Sequence, residues 1–404
     1  MRYWLVGVGA LLWGQDTLRV MSYNLLTYGA TAGYCDTRCK DQQLRTIISF
    51  VRPHLIGVNE VAASSALIRR LLDSVLNVGG VNYWRSSLYA NTTGSNIVSA
   101  LFYDSRRLGW LKQELVTTQG GLRDLYAYHL YYKDPTLPQT GDTLFVVVLV
   151  SHLKAGNTPS DAQDRAQAAV AIRQYLQSLP ATRRSFVLEV GDHNLYSSSE
   201  AAYQELLQVL VDPGPAGSWS GNPQYAFFHS QSTRLQSLAD GGSGGGLNDR
   251  FDFIFFSPAC TTATARARYV LGSFRVVGQD GQHFGKALTD PPTPAGYSAQ
   301  LVNALYAMSD HLPLVAEFAL SVSPAVSSLS LQREKRGWWA WSEGERLFLR
   351  SELGGVYRIL DGVGRLWALV ELRPGEVSDF SLPSGLYVVW EGQTGALQKV
   401  ALGP

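Results

Sequence analysis

Hydrophobic and polar positions alternate along this chain with two different periods. Residues 144–150 (LFVVVLV) and 250–256 (RFDFIFF) are short runs rich in β-branched and aromatic residues, and they predict strands. Residues 160–179 (SDAQDRAQAAVAIRQYLQSL) change period. Ala169, Ile172, Leu176 and Leu179 recur at the spacing of one helix face, and Ser160 is placed to cap the start. The large first region therefore reads as mixed, with helices outside sheets. Beyond residues 320–330 (LSVSPAVSSLS) the texture changes to RLFLRS, GVYRIL, LWALVEL and SGLYVVWEG, short runs separated by Gly and Asp turns without a helical period. That pattern predicts a small β-sandwich after a Ser/Pro linker. In it Trp338, Trp339 and Trp341 are read as packing residues, with sugar stacking as the alternative.

The chain of 404 residues is too long for one average domain, and its 46% hydrophobic and 17% charged residues describe an ordinary globular composition. One segment stands apart. Residues 1–15 (MRYWLVGVGALLWGQ) carry a single cation, Arg2, before an apolar run too short to span a bilayer, and they read as a secretory signal; the alternative is a buried first strand. The expected organisation is a signal over 1–15, a large domain over 16–320, a linker over 321–330 and a β-sandwich over 331–404. Loss of Arg2 would make cations and acids equal in number. This neutrality argues against a strongly basic nucleic-acid coat without excluding a local groove. In an exported chain Cys35 and Cys39 (YCDTRCKD) are spaced for a small disulfide loop, which leaves Cys260 over; two cysteines without a second pair are a weak zinc signal.

Candidate chemistry sits where the predicted strands end. LRVMSYN closes on Asn24, HLIGVNE on Glu60, LFVVVLVSH on His152, and SFVLEVGDHN on Asp192 and Asn194. RFDFIFF carries Asp252, and Asp310-His311 stand just ahead of LPLVAEF. Each has an ordinary reading alone: Asn24 capping a turn, Asp252 pairing with Arg250, His311 as a satisfied interior histidine. Six strands offering such groups suggest convergence on one edge of a sheet core. The set suits metal-assisted hydrolysis of a phosphate ester. Mg²⁺ needs only one or two carboxylates and keeps its waters, so Glu60 with Asn24 or Asp310 would suffice. His311 with Asp252 would serve the phosphoryl oxygens, and Asp192 with Asn194 the attacking water.

In order, SYN, NE, SH, GDHN, RFDFIFFS and SDHLPLVAEF resemble the motifs of the endonuclease/exonuclease/phosphatase superfamily over roughly residues 17–319. The resemblance implies an α/β fold, a four-layered α/β sandwich of two packed mixed sheets flanked by helices, with a metal-dependent phosphoesterase site at one end. It implies Asn24 and Glu60 as the metal-side pair and Asp310 as a second-metal or water ligand. Asp192 and Asn194 would orient water and phosphate, His311 would contact the phosphate with its tautomer held by Asp252, and His152 would be the second histidine. Mg²⁺ is the expected cofactor, with Mn²⁺ or Ca²⁺ as alternatives. Two departures stand out: His193 where an aromatic is common, and Asn59 where Gln is.

Lys154 and Arg123 are the cations read as phosphate contacts, whereas Arg165 is read as surface. The glycine-rich stretch 240–250 lacks the ending of a nucleotide-binding loop and reads as a flexible entry to the Asp252 strand. The C-terminal sandwich resembles the sorting domain of type IX secretion substrates, an address for secretion machinery. The expectation is a secreted, monomeric hydrolase of DNA or RNA. Its rivals are a sphingomyelinase-like phospholipid hydrolase, a phosphomonoesterase and a non-catalytic surface-binding protein.

Overall fold

The computed structural model describes residues 15–30, 33–321, 338–343, 345–361, 366–391 and 397–402. The expected signal segment, apart from Gln15, and nearly all of the expected linker lie outside them. Two compact units form, one within residues 15–137 and 142–321 and one within residues 338–402 together with the short stretch 138–141.

Strands of the first unit are β1 (Gln15–Tyr28), β2 (Leu55–Ala62), β3 (Trp84–Ser86), β4 (Ile97–Asp104), β5 (Leu108–Thr117), β6 (Leu125–Tyr132), β7 (Phe145–His152), β8 (Val187–Asp192), β9 (Asp252–Phe256), β10 (Ala267–Tyr269), β11 (Arg275–Val276) and β12 (Leu314–Ser321). They build two mixed sheets. One runs β10-β12-β1-β2-β4-β3 with β11 on β12, and the other runs β5-β6-β7-β8-β9. Alternation along β7 sorts the layers. Val146, Val148 and Val150 face the first sheet in one core, while Val147 and Leu149 pack with Ile172 and Leu176 of the helix Pro159–Ser178 in another. Helices Thr37–Val51 and Ala299–Met308 bury Leu44, Ile47, Leu301 and Leu305 in the first core. The order helix, sheet, sheet, helix makes this unit a four-layered α/β sandwich. The sheets approach closely at Gly57, where a Cβ would lie 2.6 Å from Val190.

The helix predicted from Ser160 is capped two residues earlier. Thr158 accepts from the Asp161 amide while Asp161 reaches back to Thr158, a reciprocal box with Pro159 at the first helical position. The second unit holds two antiparallel sheets, of three and four strands, around a core that includes Trp338, Leu349, Tyr357 and Val389. Of the tryptophan cluster, Trp338 is buried there. Trp339 is 37% exposed and Trp341 stacks on Phe348, so only the first is a core residue.

Candidate active site

Topology explains why the chemistry collects at one edge. β1 and β2 run parallel, as do β7 and β8, so Asn24, Glu60, His152 and Asp192 come to the same ends of their strands. β9 and β12 run antiparallel to their neighbours β8 and β1, which brings their starts, with Asp252 and His311, to that edge too. Register then aligns His152, Asp192 and Asp252 in one row across β7, β8 and β9. Gly191 permits the tight β7–β8 pairing. Its φ is +140°, and a Cβ would stand 1.9 Å from the Ser151 carbonyl oxygen.

Backbone conformations outside the usual regions gather here. Leu26, Thr27, Glu60 and Asn194 all have φ between +46° and +57°, a left-handed conformation that costs energy for side chains with a Cβ. Local hydrogen bonds hold them. Leu26 N–H donates to Asn24 Oδ1 (2.9 Å), Thr27 N–H to Glu60 Oε2 (3.2 Å) and Asn194 N–H to Asp192 Oδ1 (3.0 Å).

Asp192 is the centre of the arrangement. The Asn24 carboxamide donates to Asp192 Oδ2 (3.1 Å) and to Glu60 Oε1 (3.0 Å), bridging two carboxylates from different sheets. His152 Nε2 lies 3.8 Å from each of these oxygens, and His311 Nε2 lies 3.6 Å from Asp192 Oδ2. Asp252 accepts from His311 Nδ1 at 2.7 Å and from the Ser230 hydroxyl at 2.6 Å, which turns the other imidazole nitrogen toward Asp192. Burial raises the Asp192 carboxyl to about 7, with Asp252 and Glu60 adding to the rise and His311 opposing it. Burial pulls His152 well below the usual histidine value, and the Arg123 cation pulls the same way. Burial also pulls on His311, but Asp252, Asp192 and Asp310 outweigh it and hold that ring well above the usual value.

Ligand atoms of Glu60, His152 and Asp192 all lie within 4.8 Å of one another. Two carboxylates, an imidazole and a neighbouring carboxamide suit a divalent cation such as Mg²⁺ or Mn²⁺. Asp310, expected as a second-metal or water ligand, stands outside this group. Its Oδ2 accepts from the Ser243 amide (2.7 Å) and the Gln231 side chain (3.2 Å), because the 240–250 loop folds over it rather than swinging free. In that loop Arg250 pairs with Asp212, not Asp252. Asn24 takes a different part from the expected one too, since its oxygen is taken by Leu26 and its amide faces the carboxylates.

Arg123 precedes β6, which is antiparallel to β7, and so reaches the same edge. Its Nε and Nη1 are buried without a hydrogen-bond partner among the described residues, in the field of Asp192 and Glu60. Lys154 is tied down instead: its ammonium binds Asp161 (2.7 Å) and the Ala155 carbonyl (2.7 Å) at the start of the helix Pro159–Ser178. Arg165 is 1% exposed and paired with Glu200, so the expectation that it is surface fails. Cys35 and Cys39 are bridged, and Cys260 is free and buried.

Several participants were not assigned a role from the sequence, although His193 and Asn59 stood out there as departures. Gln231 stands 2.6 Å from His311 Nε2. His193, at the position where an aromatic was expected, is buried edge-on to Phe253 and Phe255 and bonds Glu189 at 2.5 Å. Glu189 also accepts from Ser151, one residue before His152. Asn59 accepts from the Asp192 amide (3.0 Å) and donates to the Ser151 carbonyl (2.8 Å), joining β2 to β7 and β8.

No protein-family model matches the chain, and no curated protein is similar to it. Solved structures are similar in fold. D. rerio TDP2 humanized by 14 mutations is 16% identical, with 75% of this chain and 98% of that chain covered and a TM-score of 0.47. The human Nocturnin catalytic domain with bound sulfate is 16% identical, with coverage of 76% and 98% and a TM-score of 0.45. A mannosyl-6-phosphatase of Bacteroides thetaiotaomicron is 13% identical, with coverage of 74% and 99% and a TM-score of 0.44. Likeness this distant carries no argument about activity, which has to rest on the site.

Proposed function

We propose that the chain is a divalent-cation-dependent phosphoric ester hydrolase, acting on phosphodiesters of DNA or RNA. The observation that carries this reading is the line Asp252–His311–Asp192, in which one carboxylate fixes an imidazolium and that ring faces a second carboxyl whose proton affinity lies near neutrality. His311, kept protonated, stabilises negative charge on a phosphoryl oxygen from Nε2. Asp192, once ionised, accepts the proton of the attacking water, and Asn194 is placed beside it. Arg123 brings a desolvated guanidinium with free donors, the geometry that grips phosphate in a fork. A cation held by Glu60 and Asp192, with His152 beside them, would neutralise charge on the phosphate and lower the barrier to attack.

Export is part of the same proposal. It is supported by the short apolar segment after Arg2 and by the Cys35–Cys39 bridge, a bond that persists in oxidising compartments. The second unit would then serve as the address read by secretion machinery. The full chain should be offered plasmid DNA, RNA, sphingomyelin and inositol phosphates in parallel, with Mg²⁺, Mn²⁺ or Ca²⁺ and with EDTA. Cleavage of a nucleic acid that EDTA abolishes is the expected result. Turnover of lipid or inositol phosphate alone would move the substrate assignment, and no turnover of any phosphate ester would end the reading.

A further inference from the structure

Lys40 is a buried ammonium that the chemistry above does not use. It is 3% exposed and donates to the Leu25 carbonyl (2.8 Å) and the Leu26 carbonyl (2.5 Å). Among the described residues no carboxylate lies within ion-pair distance of it. Burying an unpaired ammonium is costly, and an apolar side chain of the same length would serve packing at less cost. Its retention calls for a role that needs charge and donors.

The two carbonyls indicate that role. Pairing of β1 with β2 jumps from Asn24↔Asn59 to Tyr28↔Val61, so residues 25–27 leave the ladder in an outward turn. Leu26 and Thr27 in that turn are both left-handed, which needs outside support. Thr27 in turn directs both its N–H (3.2 Å) and its hydroxyl (3.4 Å) at Glu60 Oε2, while Asn24 holds Glu60 Oε1 (3.0 Å). Among the described residues, every hydrogen bond to the Glu60 carboxylate from another residue therefore starts from this turn or from Asn24 just before it. Lys40 clamps the turn from behind, and its charge lies in the field of Asp240, Asp310 and Glu60. The clamp is itself anchored. Lys40 follows the Cys35–Cys39 bridge directly, in the first turn of the helix Thr37–Val51, whose cap Asp36 accepts from the Cys39 amide at 2.8 Å.

We infer that Lys40 is a positioning residue for the cation site: by holding the carbonyls of Leu25 and Leu26 it fixes the turn that orients the Glu60 carboxylate. The inference rests on the cation-dependent reading above and deepens it. Groups that orient a metal's ligands change metal affinity by about 10- to 100-fold when they are removed.

The test is Mn²⁺ affinity of the full chain, measured by titration calorimetry on wild type, Lys40→Met, Lys40→Arg and Glu60→Gln, with melting temperatures taken in EDTA. Lys40→Met is expected to weaken Mn²⁺ binding about ten-fold or more. Lys40→Arg, which keeps charge and donors, is expected to recover most of that loss, which a purely packing role would not produce. Wild-type affinity in Lys40→Met beside a weakened Glu60→Gln would overturn the inference and leave the cation site standing. Wild-type affinity in Glu60→Gln would instead remove the cation reading itself. If Lys40→Met does not fold, Lys40→Gln decides. It keeps a polar donor but removes the charge and the reach to both carbonyls, so weaker Mn²⁺ binding supports the inference and unchanged binding refutes it.

Discussion

His152 and His311 face the same carboxylate oxygen, Asp192 Oδ2, at 3.8 and 3.6 Å, yet their surroundings drive them to opposite protonation states. The His152 side has a guanidinium nearby and, among the described residues, no hydrogen bond from the ring to a carboxylate; on the His311 side Nδ1 donates to Asp252 at 2.7 Å, and Asp192 and Asp310 add to its hold on the proton. Burial penalises a charged ring on both sides, and the neighbours set the direction of each shift. A neutral imidazole can give a lone pair to a cation, and an imidazolium can only donate. In the proposed reading the two halves of the site would thereby divide between cation and phosphate, although the residue type is the same.

The comparison is broken most directly at His311. His311→Ala should lower kcat by ~10² to 10⁴ with a small change in KM, because the charge it stabilises grows in the transition state. His152→Ala should be read mainly in the cation concentration needed for activity. Equal kcat losses at saturating Mn²⁺ in the two variants would erase the distinction. Next in size is Asp252→Asn, which leaves His311 without its carboxylate. Combined with His311→Ala it should be scarcely worse than His311→Ala alone, and full additivity in kcat would show that Asp252 acts elsewhere.

Arg123→Met should raise KM about ten-fold, the effect of losing a charge-assisted contact to the phosphate. It should also let His152 regain a proton nearer the usual histidine value, which NMR titration of the imidazole would report. A ring that titrates as in wild type would mean the guanidinium does not set it. The smallest effect is on stability. Asp192 in the fold holds its proton to about 7, above its unfolded value of 3.8, and His311 holds its own well above 6.5. For both groups the folded state binds more protons than the unfolded chain, so stability falls as pH rises through each window. His152, held low, contributes with the opposite sign, so the Asp192 part is read as the difference between wild type and Asp192→Asn: in EDTA the wild-type advantage in melting temperature should drop by a few degrees between pH 5 and pH 8. A difference that does not change with pH would contradict the raised Asp192 carboxyl.

Strand ends were legible because a strand is a local pattern. Apolar alternation over residues such as 144–150 fixes where β7 runs, and the polar residue that closes it is plain in the chain. Asn24, Glu60, His152, Asp192, Asp252 and His311 were found in this way, and the two cysteines by their spacing. Caps and pairings were less legible. Ser160 and Thr158 are both capping residues, and only the reciprocal bond with Asp161 selects Thr158. Arg165 and Lys154 look alike in sequence, yet one is buried against Glu200 and the other is held by Asp161.

The sequence by itself determined the six site-bearing strands and the helix after β7 in the first unit, the β character of the second and the types of chemical group available, because these depend on side chains close together in the chain. Only the tertiary structure decided how those groups divide the work. The fold brings Arg123 toward His152 and Asp252 against His311, turns Asp310 away to Ser243 and Gln231, and sets Lys40 behind the turn that holds Glu60. Each of these depends on distance and desolvation between residues remote in sequence, which no local pattern encodes.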